Sequence, residues 1–576
     1  MSAHLNRATS RPRVLPRSRL GCKTCKIRRV KCGEEKPSCV RCTSTGRKCD
    51  FDGVLPSSTT STIVNPLSLS PSTNIAWRER RAFAYYFEVA ATSIGGGLDV
   101  DFWRTVVPQV CRHEPAVWDA IIAISALFES PQQSPVPFSR YQENCSSLDQ
   151  NYEDALGWYS RSVSAVRQRI ERGSVDIFVG LISCVLFICI EAIQGNADGA
   201  LQLYSQGVQL ILALRPQIAS GAIPADKASL LEDTIVPIFL RLGAIALAIS
   251  GAPIGALLRD TQSLSAQKFD SLRSAREAIV VLAVEIPLFE STCMKHLQQT
   301  SSSHVSQESM DRAFGLSTRL KNWYIAFEDL MNILRAKDVL SRQQIGSSAL
   351  LLSYHDMLYV MLETCTSLSL TQFDAYLPNF QSIVENSTIA LEASVRSDGT
   401  QPPFTFEISI GLPIWFTSLR CREPRTRRAA LALLHRAPIV QGFYRSSFGA
   451  SISQKVIELE ELQAISMATA HHKHGIGASE STEQAHLGSD VPPNSQLVQK
   501  DMDSSMSTAM LIPGEVRIGP IQIFRPMDGL LPGTTQKDIA KWNRRSDNPF
   551  LQFSRHERNL SDSSPRLVYE CVPLDI

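Results

Sequence analysis

No uncharged apolar run in the chain is long enough to cross a bilayer. The most apolar, Ile177 to Ile190, has 14 residues between Asp176 and Glu191, where a spanning helix needs about 20; it reads as a buried helix, and no membrane partner is expected. The opening MSAHLNRATSRPR has no apolar run behind its basic residues, so no secretory signal is read there and a reducing compartment is expected. Glycine (30) and proline (31) are scarce in 576 residues, which excludes a collagenous repeat and wholesale disorder. Also missing are the phosphate-cradling G-x-x-x-x-G-K-S/T, the dinucleotide G-x-G-x-x-G, a nucleophile elbow and H-E-x-x-H. Gly95-Gly96-Gly97 follows no strand pattern and Ser265-Ala-Gln-Lys268 lacks companion motifs, so no enzyme is expected.

What is there is uneven. With 44% hydrophobic and 20% charged residues over 576, the chain can bury a large core and is too long for one ordinary domain. The net charge is only +2, yet residues 1–56 hold 14 Lys and Arg against 4 Asp and Glu. A small basic module, which predicts a polyanionic partner, is joined to a mildly acidic body. Six of the 14 cysteines fall between Cys22 and Cys49, and the other eight are scattered singly; tight spacing in a reducing compartment suggests metal.

Cys22, Cys25, Cys32, Cys39, Cys42 and Cys49 follow C-x2-C-x6-C-x6-C-x2-C-x6-C, one unit occurring twice, which implies a pseudo-twofold arrangement. Two residues between thiolates let one turn grip one metal, and six more form about two helical turns before the third sulfur returns. Tetrahedral zinc wants four ligands, so six cysteines serve two ions only if two of them bridge. The rival is a single-zinc ribbon on Cys22, Cys25, Cys39 and Cys42, which orphans Cys32 and Cys49. A doubly loaded cluster leaves the first 56 residues near +8. Few apolar residues beyond Ile27, Val30 and Val40 are available for a core, so folding is expected to depend on zinc.

This pattern, with Arg28, Arg29 and Lys31 before the third cysteine and Pro37 in the connecting loop, resembles the fungal binuclear zinc-cluster transcription factors. The resemblance implies two Zn2+ ions per chain, with Cys22 and Cys39 bridging: one ion on Cys22, Cys25, Cys32 and Cys39, the other on Cys22, Cys39, Cys42 and Cys49. It implies a nuclear regulator of RNA polymerase II genes that reads CGG-type elements in double-stranded DNA. The base-edge contacts fall at Arg28 and Arg29, where the family often has lysine.

The first half, CKTCKIRRVKC, holds five basic residues and the second holds three, Arg41, Arg47 and Lys48, so the first helix is aimed at the major groove, where Arg donates to guanine O6 and N7. Lys23, Lys26, Lys31, Arg41, Arg47 and Lys48 are assigned to phosphates or solvent. The alternative function is a zinc-cluster subunit of a chromatin or corepressor complex, targeted mainly by protein partners. Phosphate-only binding by Arg28 and Arg29 is what that alternative requires.

The expected organisation is a basic flexible N-terminus over 1–20, the zinc cluster over 21–53, a Ser/Thr/Pro-rich linker over 54–75, an all-α body over 76–470 and a largely disordered tail over 471–576. Pro56, Pro66 and Pro71 exclude a sustained heptad in the linker, leaving monomeric binding and a homodimer through the all-α domain both open. In the body, Tyr152, Leu156, Tyr159, Val163, Val166 and Ile170 recur at helical spacing and are expected as core. Leu201, Tyr204, Val208 and Ile211 repeat it until Pro216, the expected helix end. His113-Glu114 before Pro115 reads as a helix start. Arg420, Arg422, Arg425, Arg427 and Arg428 read as a solvated helix face, and His471, His472 and His474 as linker.

The stretches LDVDFW, HEPAVWDAIIAISALFES, VLFICIEAIQGN, ALQLYSQGVQLI and WFTSLRCREPRTRRAALALL resemble the fungal-specific regulatory domain, over most of 80–465. That resemblance implies control of a specialised-metabolism gene cluster and recruitment of transcription machinery or co-regulators, the tail being one place where recruitment could occur.

Overall fold

The computed structural model describes residues 21–35, 38–49, 73–99, 101–130, 150–173, 176–250, 254–258, 268–299, 306–337, 340–476, 512–542, 544, 546–558 and 565–574. The chain divides into two compact units, Met1–Ser72 and Thr73–Ile576. The N-terminal arginines before Gly21, most of the 54–75 linker, and Ser265 lie outside the described residues.

The first unit contains two one-turn helices, Lys23–Ile27 and Val40–Thr43. Its interior is cysteine: Cys22, Cys25, Cys32, Cys39 and Cys42 are buried, with Cys49 packed against them. Ile27, Val30 and Val40 are 74%, 41% and 59% exposed, so even the few apolar side chains available form no core among the described residues and sulfur fills the centre.

The second unit is a large helical body beginning with the helix Thr73–Tyr85. Proline stands at the first position of Pro115–Glu129, where its missing N–H costs no hydrogen bond. Glu114 precedes it as expected, but its carboxylate pairs with Arg169 instead of capping the helix. The helix Ile177–Gln194 has the length and composition to cross a membrane, and 67% of it is buried inside the body, packed on Pro115–Glu129 and Ala197–Ala219. Asp176 caps its start by accepting the Phe178 N–H at 2.9 Å. Gly195 ends it at φ 83°, a left-handed conformation that a side chain at Cβ would strain.

Three expectations about helices need correction. In Gln150–Glu171 the fully buried side chains are Ala155, Trp158 and Ser162; of the expected stripe, Tyr152, Tyr159 and Val166 pack half-buried against the core, while Leu156, Val163 and Ile170 are exposed. The inward stripe is rotated by about one residue, because the Ser162 hydroxyl satisfies itself on the Ala116 carbonyl at 2.6 Å and can be buried. The helix Ala197–Ala219 runs through Pro216, since the Pro216 carbonyl still accepts the Ser220 N–H at 3.0 Å and only the donor is lost. His471, His472 and His474 lie in the helix Ser446–Ile476, not in a linker.

The arginine strip is corrected as well. Arg422 and Arg427 are buried and converge on Glu460, at 2.8 and 2.6 Å, from the helix Ser446–Ile476. Burial acts to raise the Glu460 carboxyl, but the two guanidinium groups outweigh it and hold it below the usual range; Arg422 is drawn down to about 10, chiefly by burial. Arg428 pairs with Glu461 at 2.6 Å, and Arg425 is exposed.

The part of the tail that is described is folded. Strands Ile521–Phe524, Phe550–Arg558 and Pro565–Pro573 form an antiparallel sheet in that order, with Ile521 opposite Phe553 and Phe550 opposite Pro573. Leu551, Phe553, Val572 and Leu574 pack with Ile452 and Val456 of Ser446–Ile476. The strap leading into the sheet is fixed by Arg517, which holds Asp374 at 2.8 and 2.7 Å, and by the Ile518 N–H, which donates to Glu460 at 2.7 Å. The largely disordered tail expected over 471–576 therefore does not describe 471–476, which are helical, or the described residues between 512 and 574. Residues 477–511 lie outside the described part.

A second ionic knot lies elsewhere in the body. Arg241 and Arg276, both buried, meet Asp99, Glu277 and Glu407, with Arg276 at 2.8 Å from Asp99 and Arg241 at 3.1 Å from Glu277. Arg273 joins from the half-exposed side at 3.2 Å from Asp99. Cys111, Cys184, Cys189, Cys293, Cys365 and Cys421 are all buried in the body.

Candidate metal centre and nucleic-acid interface

The sulfur cluster is built from one turn used twice. Cys22 and Cys39 stand at the N-caps of Lys23–Ile27 and Val40–Thr43, and the C-x2-C spacing puts Cys25 and Cys42 on the same end of each turn. The third cysteine of each half returns to the first: the Cys22 N–H donates to Cys32 Sγ at 3.3 Å, and the Cys39 N–H to Cys49 Sγ at 3.3 Å. The two halves meet through their sulfurs, with Cys22 3.8 Å from Cys39 and 3.6 Å from Cys42, and Cys25 3.6 Å from Cys39.

Four sulfurs bound at about 2.3 Å around one tetrahedral zinc lie roughly 3.8 Å apart, which these separations match. Two groups of four cysteines have their sulfurs within 4.8 Å of one another, Cys22, Cys25, Cys32 and Cys39, and Cys22, Cys39, Cys42 and Cys49. Cys22 and Cys39 belong to both groups. The donor set is soft and tetrahedral-sized, so it fits zinc. Burial acts to raise the Cys22 and Cys39 thiols, but backbone N–H groups of Cys25 and Cys42 and the neighbouring thiols outweigh it and bring both below the ordinary value. Burial, reinforced by adjacent thiols, pushes Cys25 up.

The repeat extends past the helices. Arg29 lies at φ 57° and Gly46 at φ 62°, seven residues after the first cysteine of their halves. Each closes the same hairpin of backbone, the Val30 N–H reaching the Cys25 carbonyl at 3.2 Å and the Arg47 N–H the Cys42 carbonyl at 3.0 Å. The helix of the first half is thus five residues, Lys23–Ile27, shorter than the two turns its spacing predicts, because the left-handed residue ends it. Glycine occupies this conformation freely, whereas a residue with Cβ strains by about 1–2 kcal/mol.

Lys23, Lys26, Arg29 and Lys31 are exposed. Arg28 is half-buried and reaches across the pseudo-twofold, its Nη1 donating to Thr45 Oγ1 at 3.2 Å and towards the Arg41 carbonyl at 3.4 Å. Thr45 is the position equivalent to Arg28 in the second half. The sequence pattern treats Arg28 and Arg29 alike; the structure sets one against the partner half and leaves the other outside. Arg41, Arg47 and Lys48 are exposed.

Residues 20–57 match the fungal Zn(2)-Cys(6) binuclear cluster domain. Over 273 residues the chain is 29% identical to the aspercryptin biosynthesis cluster-specific transcription regulator atnN of Emericella nidulans, covering 41% of each chain. It is 34% identical over 153 residues to the Zn(2)-C6 fungal-type transcription factor afumD of Aspergillus fumigatus, covering 24% of this chain and 40% of that one. It is 28% identical over 238 residues to the transcription regulator lscL of Purpureocillium lilacinum, covering 37% and 55%. The matches thus span about half or less of the length of these curated relatives, each of which is named as a transcription factor or regulator and none as an enzyme. No solved structure matches the chain. Residues 20–57 thus carry a fungal Zn(2)-Cys(6) binuclear cluster domain, whose six clustered cysteines bind two zinc ions, and a mostly helical body follows it in the chain.

Proposed function

We propose that this protein is a nuclear, zinc-dependent regulator of RNA polymerase II genes that reads CGG-type elements in double-stranded DNA through the first half of its cluster and controls a specialised-metabolism gene cluster. The observation that carries the reading is Arg29 at φ 57° where the equivalent position of the second half has Gly46. A strained residue persists when its side chain has work to do, and an exposed guanidinium at the end of a basic turn is placed to donate bidentately to guanine. Arg28, lying on Thr45, serves as the positioning residue that fixes the first half against the second. Lys23, Lys26 and Lys31, all exposed, supply phosphate contacts that set register without specifying sequence.

Cys22 and Cys39 are the bridging ligands in this reading, supported by their membership of both four-sulfur groups. The working boundaries remain 21–53 for the cluster domain and a body that starts near 76. In favour of a gene-cluster role is the printed name of one relative, a biosynthesis cluster-specific regulator. Co-regulators and any homodimer contact fall to the helical body.

The test is selection of binding sites from randomised duplex DNA by the full-length zinc-loaded protein, beside a chelated control. Enrichment of CGG-containing sites, lost on chelation, is expected, and one or two spaced triplets would distinguish a monomer from a dimer. Zinc-loaded protein that enriches no sequence would overturn the reading and favour a complex subunit targeted by its protein partners.

A further inference from the structure

The body contains a cavity of about 260 Å³ where four distant segments meet, residues 92–97, 343–350, 390–396 and 402–410. Its apolar wall includes Leu350, Leu391, Val395, Ile408 and Ile410. Thr92, Gln343, Ser347 and Ser409 also line it, and their side chains have no hydrogen-bond partner among the described residues. A few hydroxyl and amide groups left without a partner among an apolar lining are the usual composition of a small-molecule site.

The charge of an occupant follows from the two ionic residues in the lining. Glu407 is spent, one oxygen accepting the Ile408 N–H at 3.0 Å and the other held by Arg276. Arg396 is spent on Thr400 and Asp398, at 2.7 and 3.2 Å. Neither is left to neutralise a ligand charge, so an ionised molecule would be desolvated without a counter-ion. The volume is below the roughly 300–1,000 Å³ usual for drug-sized ligands. We propose that this cavity binds a neutral, fragment-sized molecule with an apolar body and a few hydroxyl, carbonyl or amide groups. The site goes beyond DNA reading and has a mechanical link to the body: Glu407 is shared between the cavity wall and the ionic knot of Asp99, Arg241 and Arg276. The glycines at its mouth, Gly96 and Gly97, run directly into Asp99.

The experiment uses full-length zinc-loaded protein and a panel of neutral primary amides and alcohols of fragment size, each matched with its carboxylate isostere, read by ligand-observed saturation-transfer NMR titration. No DNA is present, so the outcome is separate from that of the site selection. Saturable binding of neutral members is expected, with the carboxylates weaker by about tenfold or more. Gly97→Leu is expected to weaken binding by a similar factor at unchanged zinc content and melting temperature. A Cβ there meets Gln343 Cβ at 3.6 Å and Ser347 Oγ at 3.7 Å, ordinary contact, and the longer chain fills the recess. Ser347→Leu is the second variant, should the first perturb the turn. Failure of every neutral member to bind, equal binding of the carboxylates, or binding that survives both substitutions would overturn the proposal.

Discussion

The two units bury different things. In the cluster domain the interior is sulfur, and Ile27, Val30 and Val40 face solvent. In the body the interior is a continuous apolar core into which whole ion pairs have been carried, Arg422 and Arg427 with Glu460, and Arg241 and Arg276 with Asp99 and Glu407. A domain of about 30 residues cannot bury enough surface to fold on its apolar side chains, so its stability is lent by the metal. The body has core to spare and can keep charged groups inside, where they fix which helices face each other. One unit should therefore respond to zinc and be nearly indifferent to apolar substitution, and the other should do the reverse.

The largest expected effect separates them outright. Chelation removes metal whose binding supplies about 10–16 kcal/mol in comparable structural sites; DNA binding should vanish while the far-UV helical signal and the melting of the body persist. Simultaneous loss of both would break the comparison. Within the cluster, Cys22→Ser and Cys39→Ser should disturb both ions and Cys49→Ser chiefly one, measured as zinc per chain by elemental analysis. Equal residual zinc in all three would remove the bridging assignment.

Next comes Glu460→Ala, which leaves two buried guanidinium groups without their carboxylate. Breaking such a pair costs about 3–5 kcal/mol, so the body should melt earlier while two zinc ions per chain are retained. The same carboxyl predicts an acid limb. Its folded pKa is depressed by Arg422 and Arg427 in spite of burial, so the stability it contributes is complete above the unfolded value, about 4.3, and is lost as pH falls through the folded one. In the Glu460→Gln variant the acid limb of the thermal melt should flatten.

A smaller effect is expected at Arg29. Arg29→Ala should weaken binding at the selected site by about 1–3 kcal/mol and relax discrimination there. Arg29→Gly should lose the same discrimination while making the zinc-loaded cluster more stable by about 1 kcal/mol, the strain being relieved; an equal loss on all DNA sequences would point to phosphate contact. Smallest of all, Ile27→Asp should change stability by no more than about 0.5 kcal/mol, whereas Ile188→Ala, fully buried in the body, should cost about 2–5 kcal/mol.

What could be read from the sequence was whatever depends on spacing within a short stretch. The doubled cysteine unit, the buried helix at Ile177 and the proline start at Pro115 are of this kind. What could not be read depends on a partner far along the chain. Nothing near Arg422 announces Glu460, so two inward arginines look like the solvated ones beside them. The tail strand Phe550–Arg558 begins with Phe550, Leu551, Gln552, Phe553 and Ser554 all buried, so it shows no alternation to read, and the strap leading into its sheet is held from afar, Asp374 gripping Arg517 and Glu460 the Ile518 N–H. Arg28 and Arg29 are adjacent and chemically identical, and only the backbone at φ 57° tells them apart. The clue was nonetheless present: aligning the two halves sets Arg29 against Gly46, a glycine that marks a left-handed turn.

The buried thiols of the body have a chemical consequence. Burial raises Cys184 and Cys365 to about 12 and Cys421 to about 11, and raises Cys111, Cys189 and Cys293 as well. Thiolate is the reactive form, so these six are silent towards alkylating agents and mild oxidants at neutral pH. The cluster sulfurs are shielded only as long as metal holds them. Loss of zinc therefore uncovers six nucleophiles at once in the cluster while these six body cysteines stay inert, and the rise in alkyl groups taken up on metal removal reports the metal state of the cluster.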